Sequence, residues 1–366
     1  MTPVARVGLL GVSAIARKVW AAIHKAGLVV TAVGGRSPKT AESFVEECCG
    51  YLGIDASNKP RACNYYELVN LPDVDIVYIS LPVMERPAWV MKCVDKGKHV
   101  VGEKPPAENI DVLCVWLERL NNLRLLYMDG TMFSHGPWVE KLVENLPRCG
   151  RIRRLTATLS WCADEEKQKN DIRFNPTLEN LGALGDCGWY CVRVMLHAMN
   201  FKMPKTAVGR ILETNRRGAI VAFSGELAFE MEGEIVTGFL YCALNSAPQA
   251  EFTVSGTTGM IDSPNIYNPV TVGPSCASFK LLEARTEANG TELAITHDEH
   301  IIEVPEEDGF FQEVQMWRDV AAALSPNSEG KLLASIDAME KWGHMAWMTQ
   351  CILDTLVKSA RLQQGV

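Results

Sequence analysis

Three short stretches of this sequence bring together residue types suited to proton and hydride chemistry. The first, His99-Val-Val-Gly-Glu103-Lys104-Pro-Pro106, sets a cation directly after a β-branched run that ends at Gly102. Such a run reads as a buried parallel strand, and in a doubly wound sheet the carboxyl ends of the strands border the ligand crevice. The second, Gly182-Ala-Leu-Gly-Asp186-Cys-Gly-Trp-Tyr190, leads into an apolar helical pattern and places a carboxylate and a phenol four residues apart on one helix face. Arg173 lies just before it, a guanidinium able to grip a carboxylate or sugar hydroxyl, or to form a surface ion pair. The third, Gly11-Val-Ser13-Ala-Ile15-Ala16, joins a short apolar strand to a helix, the arrangement in which backbone N–H groups meet a pyrophosphate. Ser13 stands where the usual fingerprint has glycine; its hydroxyl can bond phosphate while its Cβ pushes the phosphate outward. Each stretch also has a purely structural reading: a solvated loop lysine, a helix cap followed by a half-buried ring, and a tight turn.

The elements around these stretches alternate. Apolar strand patterns at residues 5–10, 28–34, 61–64, 75–80, 100–101 and 124–128 are separated by helical patterns, which predicts a parallel sheet with right-handed crossovers. This defines an α/β Rossmann domain over residues 1–130. The strand at 75–80 runs out into Leu81-Pro82. The second strand exits through Gly35-Arg36-Ser37-Pro38-Lys39, with no acidic residue where NAD-preferring folds place one. Arg36, Ser37 and Lys39 suit the 2′-phosphate of NADP, so NADP is the expected cofactor, with NAD as the alternative.

Beyond residue 130 the period changes. Alternating patterns at 152–162, 219–229, 234–244 and 250–255, then helical patterns at 310–324 and 333–362, predict an α+β domain over 131–366 with a largely antiparallel sheet. The apolar stripe Met339, Trp342, Met345, Met348, Ile352 and Leu356 reads as core. A net charge of -8 with no basic stripe argues against nucleic acid. No apolar run is long enough for a membrane span and no signal peptide pattern is present, which predicts a cytosolic protein. Its twelve scattered cysteines are expected to be reduced, and Cys187 and Cys191 read as core residues, with no metal site.

Taken together, Glu103-Lys104-Pro, Gly185-Asp186-x-Gly188-x-Tyr190 and Gly11-x-x-x-Ile15-Ala16 resemble the Gfo/Idh/MocA family of NAD(P)-dependent oxidoreductases across nearly the whole chain. Tyr190, where many members carry His, is similar to the dihydrodiol dehydrogenase-like branch. Met128-Asp-Gly-Thr-Met-Phe133, Lys169-Asn-Asp-Ile-Arg173 and the run into Tyr190 resemble a plant subgroup. The resemblance implies a Rossmann domain followed by an open-faced α+β domain whose sheet forms a homodimer interface. It implies Tyr190 as proton donor or acceptor, Lys104 as the cation beside it and Asp186 as a supporting polar group. Cofactor contacts are expected from Gly11, Ser13, Ile15, Ala16, Arg36, Ser37, Lys39, Leu81, Pro82, Glu103 and Lys104, and substrate contacts from Arg173 and Tyr190.

The implied reaction interconverts a secondary alcohol, in a sugar, cyclic polyol or dihydrodiol, with its carbonyl. The alternative is a non-catalytic NAD(P)-binding regulator of the same fold. Two departures stand out: Ser13, and Leu81-Pro-Val-Met-Glu-Arg86, where many members have Pro-x-x-x-His beside the nicotinamide. Arg86 is therefore expected to alter substrate or cofactor contacts. Trp161, His135 and Trp189 either line the pocket or belong to core or surface.

Overall fold

A computed structural model of the chain describes residues 5–265, 276–289, 292–305 and 311–364. Its contacts separate two units, Met1–His135 with Phe310–Trp347, and Gly136–Gly309 with Met348–Val366. In the first unit, β1 (Arg6–Leu10), β2 (Val29–Gly35), β3 (Arg61–Asn64), β4 (Ile76–Ile79), β5 (His99–Gly102) and β6 (Tyr127–Asp129) form one sheet in the order β3-β2-β1-β4-β5-β6. Every pairing is parallel. This is the strand order of the doubly wound dinucleotide-binding fold, with its crevice at the carboxyl edge. Val7, Leu9, Leu10, the whole of β4 and all of β5 are buried, so these strands read as unbroken apolar runs rather than as alternation.

The sixth strand begins at Tyr127, later than the pattern predicts, because the helix Ile110–Asn122 has to unwind first. Arg124 takes a left-handed φ of 54°, and the Leu125 N–H closes back onto the Leu120 carbonyl. A larger difference concerns the division of the chain. The pattern suggests a single cut near residue 130, but Phe310–Trp347 rejoins the first unit. In the helix Phe311–Ala322, Glu313 pairs with Lys18, Trp317 meets Tyr78 edge-on at 6.1 Å, and Asp319 Oδ2 lies 2.7 Å from His135 Nδ1. A small hairpin, Leu324–Pro326 with Leu332–Ala334, follows, and its Leu332 carbonyl lies 3.1 Å from His99 Nε2. Periodicity reports which face of an element is apolar, not which sheet it returns to.

In the second unit, β7 (Ile152–Cys162), β8 (Thr206–Thr214), β9 (Ile220–Met231), β10 (Glu234–Ala243), β11 (Asn245–Gly256), β12 (Gly259–Ser263), β13 (Cys276–Asn289) and β14 (Glu292–Pro305) make an eight-stranded sheet. Its order is β14-β13-β12-β11-β7-β10-β9-β8, antiparallel except where β10 pairs with β7. Alternate residues turn inward: Leu155, Ala157 and Leu159 on β7, Leu227 and Phe229 on β9, Phe252 and Val254 on β11. The helix Trp189–Ala198 packs on β7 and β10 and buries every residue except His197. The apolar stripe from Met339 to Leu356 is buried along a single helix, Ile336–Gln364, whose residues up to Trp347 belong to the first unit and the rest to the second. The pattern did not reveal β8, β13 or β14, whose polar residues interrupt the alternation, nor the short β12.

Candidate active site

The expected cofactor residues lie at or just beyond the carboxyl ends of β1, β2, β4 and β5, one edge of a parallel sheet. Gly11 has φ +116°, and a Cβ there would meet Ser80 Oγ at 2.5 Å, so the turn after β1 excludes a side chain on both grounds. Among the described residues, Ser80 Oγ is itself buried without a hydrogen-bond partner. Ser13 caps the helix Ala14–Lys25, its Oγ accepting from Ala16 N–H at 3.2 Å. An oxygen that accepts from the backbone still has its own O–H to donate, which suits an anion at the positive end of a helix. No acidic residue opposes it in the first turn. Ile15 is partly exposed beside it, and Ala16 is buried. The turn therefore fits a dinucleotide pyrophosphate.

At the end of β2, Arg36 and Lys39 are exposed, while Ser37 caps the helix Pro38–Leu52 in a capping box with Thr40. Ser37 thus has a structural task that the sequence pattern did not assign to it. At the end of β4, Leu81 is buried and Pro82 half-buried. At the end of β5, Glu103 N–H bonds the Ile79 carbonyl at 3.1 Å and Glu103 Oε1 accepts from Tyr78 O–H at 2.7 Å. Lys104 follows, half-buried, with a cis peptide to Pro105. A cleft of about 630 Å³ bordered by Trp20, His24, Thr31 and Asp73 lies at the opposite, amino-terminal edge of the sheet, away from these residues.

Arg86, expected to alter substrate or cofactor contacts, is a buried residue. Only 4% exposed, it turns its guanidinium to the main chain, Nε donating to the Leu81 carbonyl at 2.7 Å and Nη1 to the carbonyls of Glu103 and Pro105. Its charge is directed into the loops that carry the expected cofactor contacts.

In the second unit, Asp186 sits in a π-helical turn, Leu184–Gly188, which runs into the helix bearing Tyr190. π turns recur at functional sites. Gly182 admits the chain to this turn with φ +49°, where a Cβ would lie 2.3 Å from the Ile220 carbonyl. Asp186 does not cap the helix, because the residue before it is already helical and its carboxylate faces elsewhere. Its Oδ2 accepts from Arg173 Nε at 2.9 Å and from Trp161 Nε1 at 3.3 Å.

Arg173 Nη1 also reaches both oxygens of Asp171 at 3.2 Å. The attraction of Asp186, then of Asp171, holds the guanidinium pKa above its ordinary value. Arg173, expected either to contact substrate or to form an ion pair, is paired with two carboxylates. Tyr190 is 8% exposed. Of the three aromatic residues left between pocket and core, Trp161 reaches Asp186 and Trp189 is wholly buried. His135 is held by Asp319 and stacks on Trp342 at 4.3 Å.

Lys104 and the cofactor residues thus belong to the first unit, Asp186, Tyr190 and Arg173 to the second. The sequence pattern missed Tyr78, which reads only as part of a buried strand, and Asp171, whose i,i+2 spacing to Arg173 was the available signal. Among the described residues, no three His, Cys, Asp or Glu side chains gather as a metal ion would require.

Residues 5–124 match the oxidoreductase family with an NAD-binding Rossmann fold. The chain is 29% identical over 276 residues to a dTDP-3,4-didehydro-2,6-dideoxy-alpha-D-glucose 3-reductase from Streptomyces antibioticus, covering 73% of this chain and 78% of that one. It is 26% identical over 245 residues to trans-1,2-dihydrobenzene-1,2-diol dehydrogenase of Mus musculus, covering 66% and 68%. Among solved structures, a 3-ketoreductase from Actinomadura kijaniata in complex with NADP and TDP-benzene superimposes with a TM-score of 0.77 at 21% identity, over 98% of both chains. Strand order, glycine turn and the family match agree that residues 5–124 carry the NAD-binding Rossmann fold of the Gfo/Idh/MocA oxidoreductase family.

Proposed function

We propose that this protein is an NADP-dependent oxidoreductase that interconverts a secondary alcohol, in a sugar, cyclic polyol or dihydrodiol, with its carbonyl. The observation that carries the reading is the set of residues at one edge of the first sheet: a glycine turn closed to side chains, a helix N-terminus free of acid, and Arg36 with Lys39 exposed one strand away. Gly11, Ser13, Ile15 and Ala16 would hold the pyrophosphate, and Arg36, Ser37 and Lys39 the adenosine end with its 2′-phosphate. Leu81, Pro82, Glu103 and Lys104 would border the nicotinamide. The relatives named as a sugar 3-reductase and a dihydrodiol dehydrogenase, and the neighbour solved with NADP, support both cofactor and substrate class.

A bound nicotinamide supplies or accepts the hydride. What remains for the chain is the proton. Tyr190 is the acid/base at the substrate oxygen, and Lys104 is the cation that favours its phenolate, since a phenol near its ordinary pKa of about 10 is a poor base at neutral pH. A bare Asp186 carboxylate would oppose phenolate formation at Tyr190; paired with Arg173, it does so less. Domain roles follow: the first unit, built on the Rossmann domain read at residues 1–130, carries the cofactor, and the second unit the substrate and a homodimer interface, in a cytosolic protein. Exposed Val208, Leu212, Ile235 and Phe239 on the second sheet support that interface. Light scattering that gives a monomer mass would remove the dimer.

The test is turnover. Steady NADPH oxidation is expected with at least one member of a panel of keto-sugars and cyclic ketones. Tyr190→Phe should lower kcat by about 100-fold or more with NADPH affinity within about threefold of wild type. Full kcat in that variant ends the acid/base assignment. Tight NADPH binding without turnover on any carbonyl would favour the regulatory alternative instead. Arg36→Ala with Lys39→Ala should cut kcat/KM for NADPH by about tenfold or more and leave NADH nearly unchanged.

A further inference from the structure

We infer that Arg86 is a positioning residue for Lys104: it fixes the main chain on both sides of the lysine and ties it to the loop after β4. The inference rests on the role proposed for Lys104 and adds a residue through which that role is maintained. On the upstream side of Lys104 the sheet does the holding. Glu103 N–H bonds the Ile79 carbonyl and Gly130 N–H bonds the Gly102 carbonyl at 2.7 Å, and there the ladder ends. The next carbonyl, that of Glu103, and the one beyond Lys104, that of Pro105, both accept from Arg86 Nη1. Arg86 Nε takes the Leu81 carbonyl in the neighbouring loop. One guanidinium therefore continues the restraint where strand pairing stops, across the segment whose side chain the reaction needs.

Three features distinguish this from an ordinary stabilising arginine. Arg86 begins the helix Arg86–Asp95, where the helix dipole disfavours a cation, so the residue is poorly chosen for the helix itself. It is 4% exposed, so its charge does not act on solvent or as a surface pair. Its acceptors lie on two different loops, which needs the rigid planar fork of guanidinium; a lysine ammonium is a point donor on a flexible stem. A histidine, common at this position in the resembling family, could not span three carbonyls.

The test uses Arg86→Gln, with Arg86→Lys taking its place if the first variant loses the wild-type circular dichroism spectrum. Lysines are reductively methylated with 13C-formaldehyde, and the Lys104 resonance is identified by its absence from Lys104→Met. Loss of Arg86 is expected to shift or split that resonance while the other lysines stay in place. With the fastest carbonyl of the panel at saturation, kcat is expected to fall by about tenfold or more in the wild-type background and by less than about threefold in Lys104→Met, the non-additivity of two residues acting as one. An unmoved Lys104 resonance overturns the inference. So does an equal fall in kcat with and without Lys104, or loss of fold in both Arg86 variants, since the guanidinium would then support the unit as a whole. Full kcat in Lys104→Met alone removes Lys104 from the reaction and leaves the resonance to decide whether Arg86 holds it.

Discussion

Arg86 and Arg173 carry the same functional group, and both stand beside residues expected to work on cofactor or substrate. They are compensated in opposite ways. Arg86, nearly sealed, meets three backbone carbonyls. Arg173 meets two carboxylates and keeps 36% of its side chain exposed. Carbonyl dipoles satisfy a guanidinium without cancelling its charge, so Arg86 is a tie between loops that remains cationic. Carboxylates cancel the charge, so Arg173 mutes Asp186 in the turn before Tyr190. The difference shows why a cation near a site cannot be given a role from its type alone: its acceptors decide whether it restrains, neutralises or binds.

The contrast can be broken most severely at Arg86. Arg86→Met strips three carbonyls, two buried and one partly buried, of a charged donor and should lower stability by roughly 4 kcal/mol in thermal or denaturant unfolding, with little response to salt. A smaller effect comes from His99, another buried group held by the backbone, its Nδ1 accepting from Leu126 N–H and its Nε2 facing the Leu332 carbonyl. Burial pushes its pKa down to about 4.

The unfolded chain, with an ordinary histidine near 6.5, then binds more protons than the folded one between those values. The contribution is complete above about pH 6.5 and fades as pH falls toward about 4, by about 3 kcal/mol in all. His99→Gln should flatten that part of the pH–stability curve. An unchanged slope would mean that other groups titrate there. The smallest effect is expected at Arg173. Its pairs keep part of their surface in water, so Arg173→Met should cost about 1 kcal/mol, and the gap should narrow in about 1 M salt, where the screening length is near 3 Å. A larger, salt-independent loss would erase the distinction from Arg86.

Much of the fold was legible because its strands are either wholly buried or regularly alternating. β4 and β5 announce themselves as apolar runs ending in Leu81-Pro82 and Glu103-Lys104, and the glycine turn follows the first such run. Less visible were the partners of polar side chains. Nothing in Pro-Val-Met-Glu-Arg86 says that its last residue folds back on its own loop, because that depends on where β5 lies in space. Asp171-x-Arg173 carried only a weak signal, and Asp186 only its place after glycines; their pairing required the π turn and β7, which brings Trp161 alongside. Polar groups bond to whatever three-dimensional packing supplies, and no period in the chain records it.

The return of Phe310–Trp347 to the first unit has a consequence for biosynthesis. Tyr78, His99, Lys18 and His135 emerge from the ribosome early, while Trp317, Leu332, Glu313 and Asp319, which meet them, come nearly two hundred residues or more behind. The nucleotide lobe therefore cannot finish folding as a nascent N-terminal fragment. An expressed piece ending at residue 135 would leave those seats bare, whereas a fusion that appends residues 310–347 to it should recover a closed lobe.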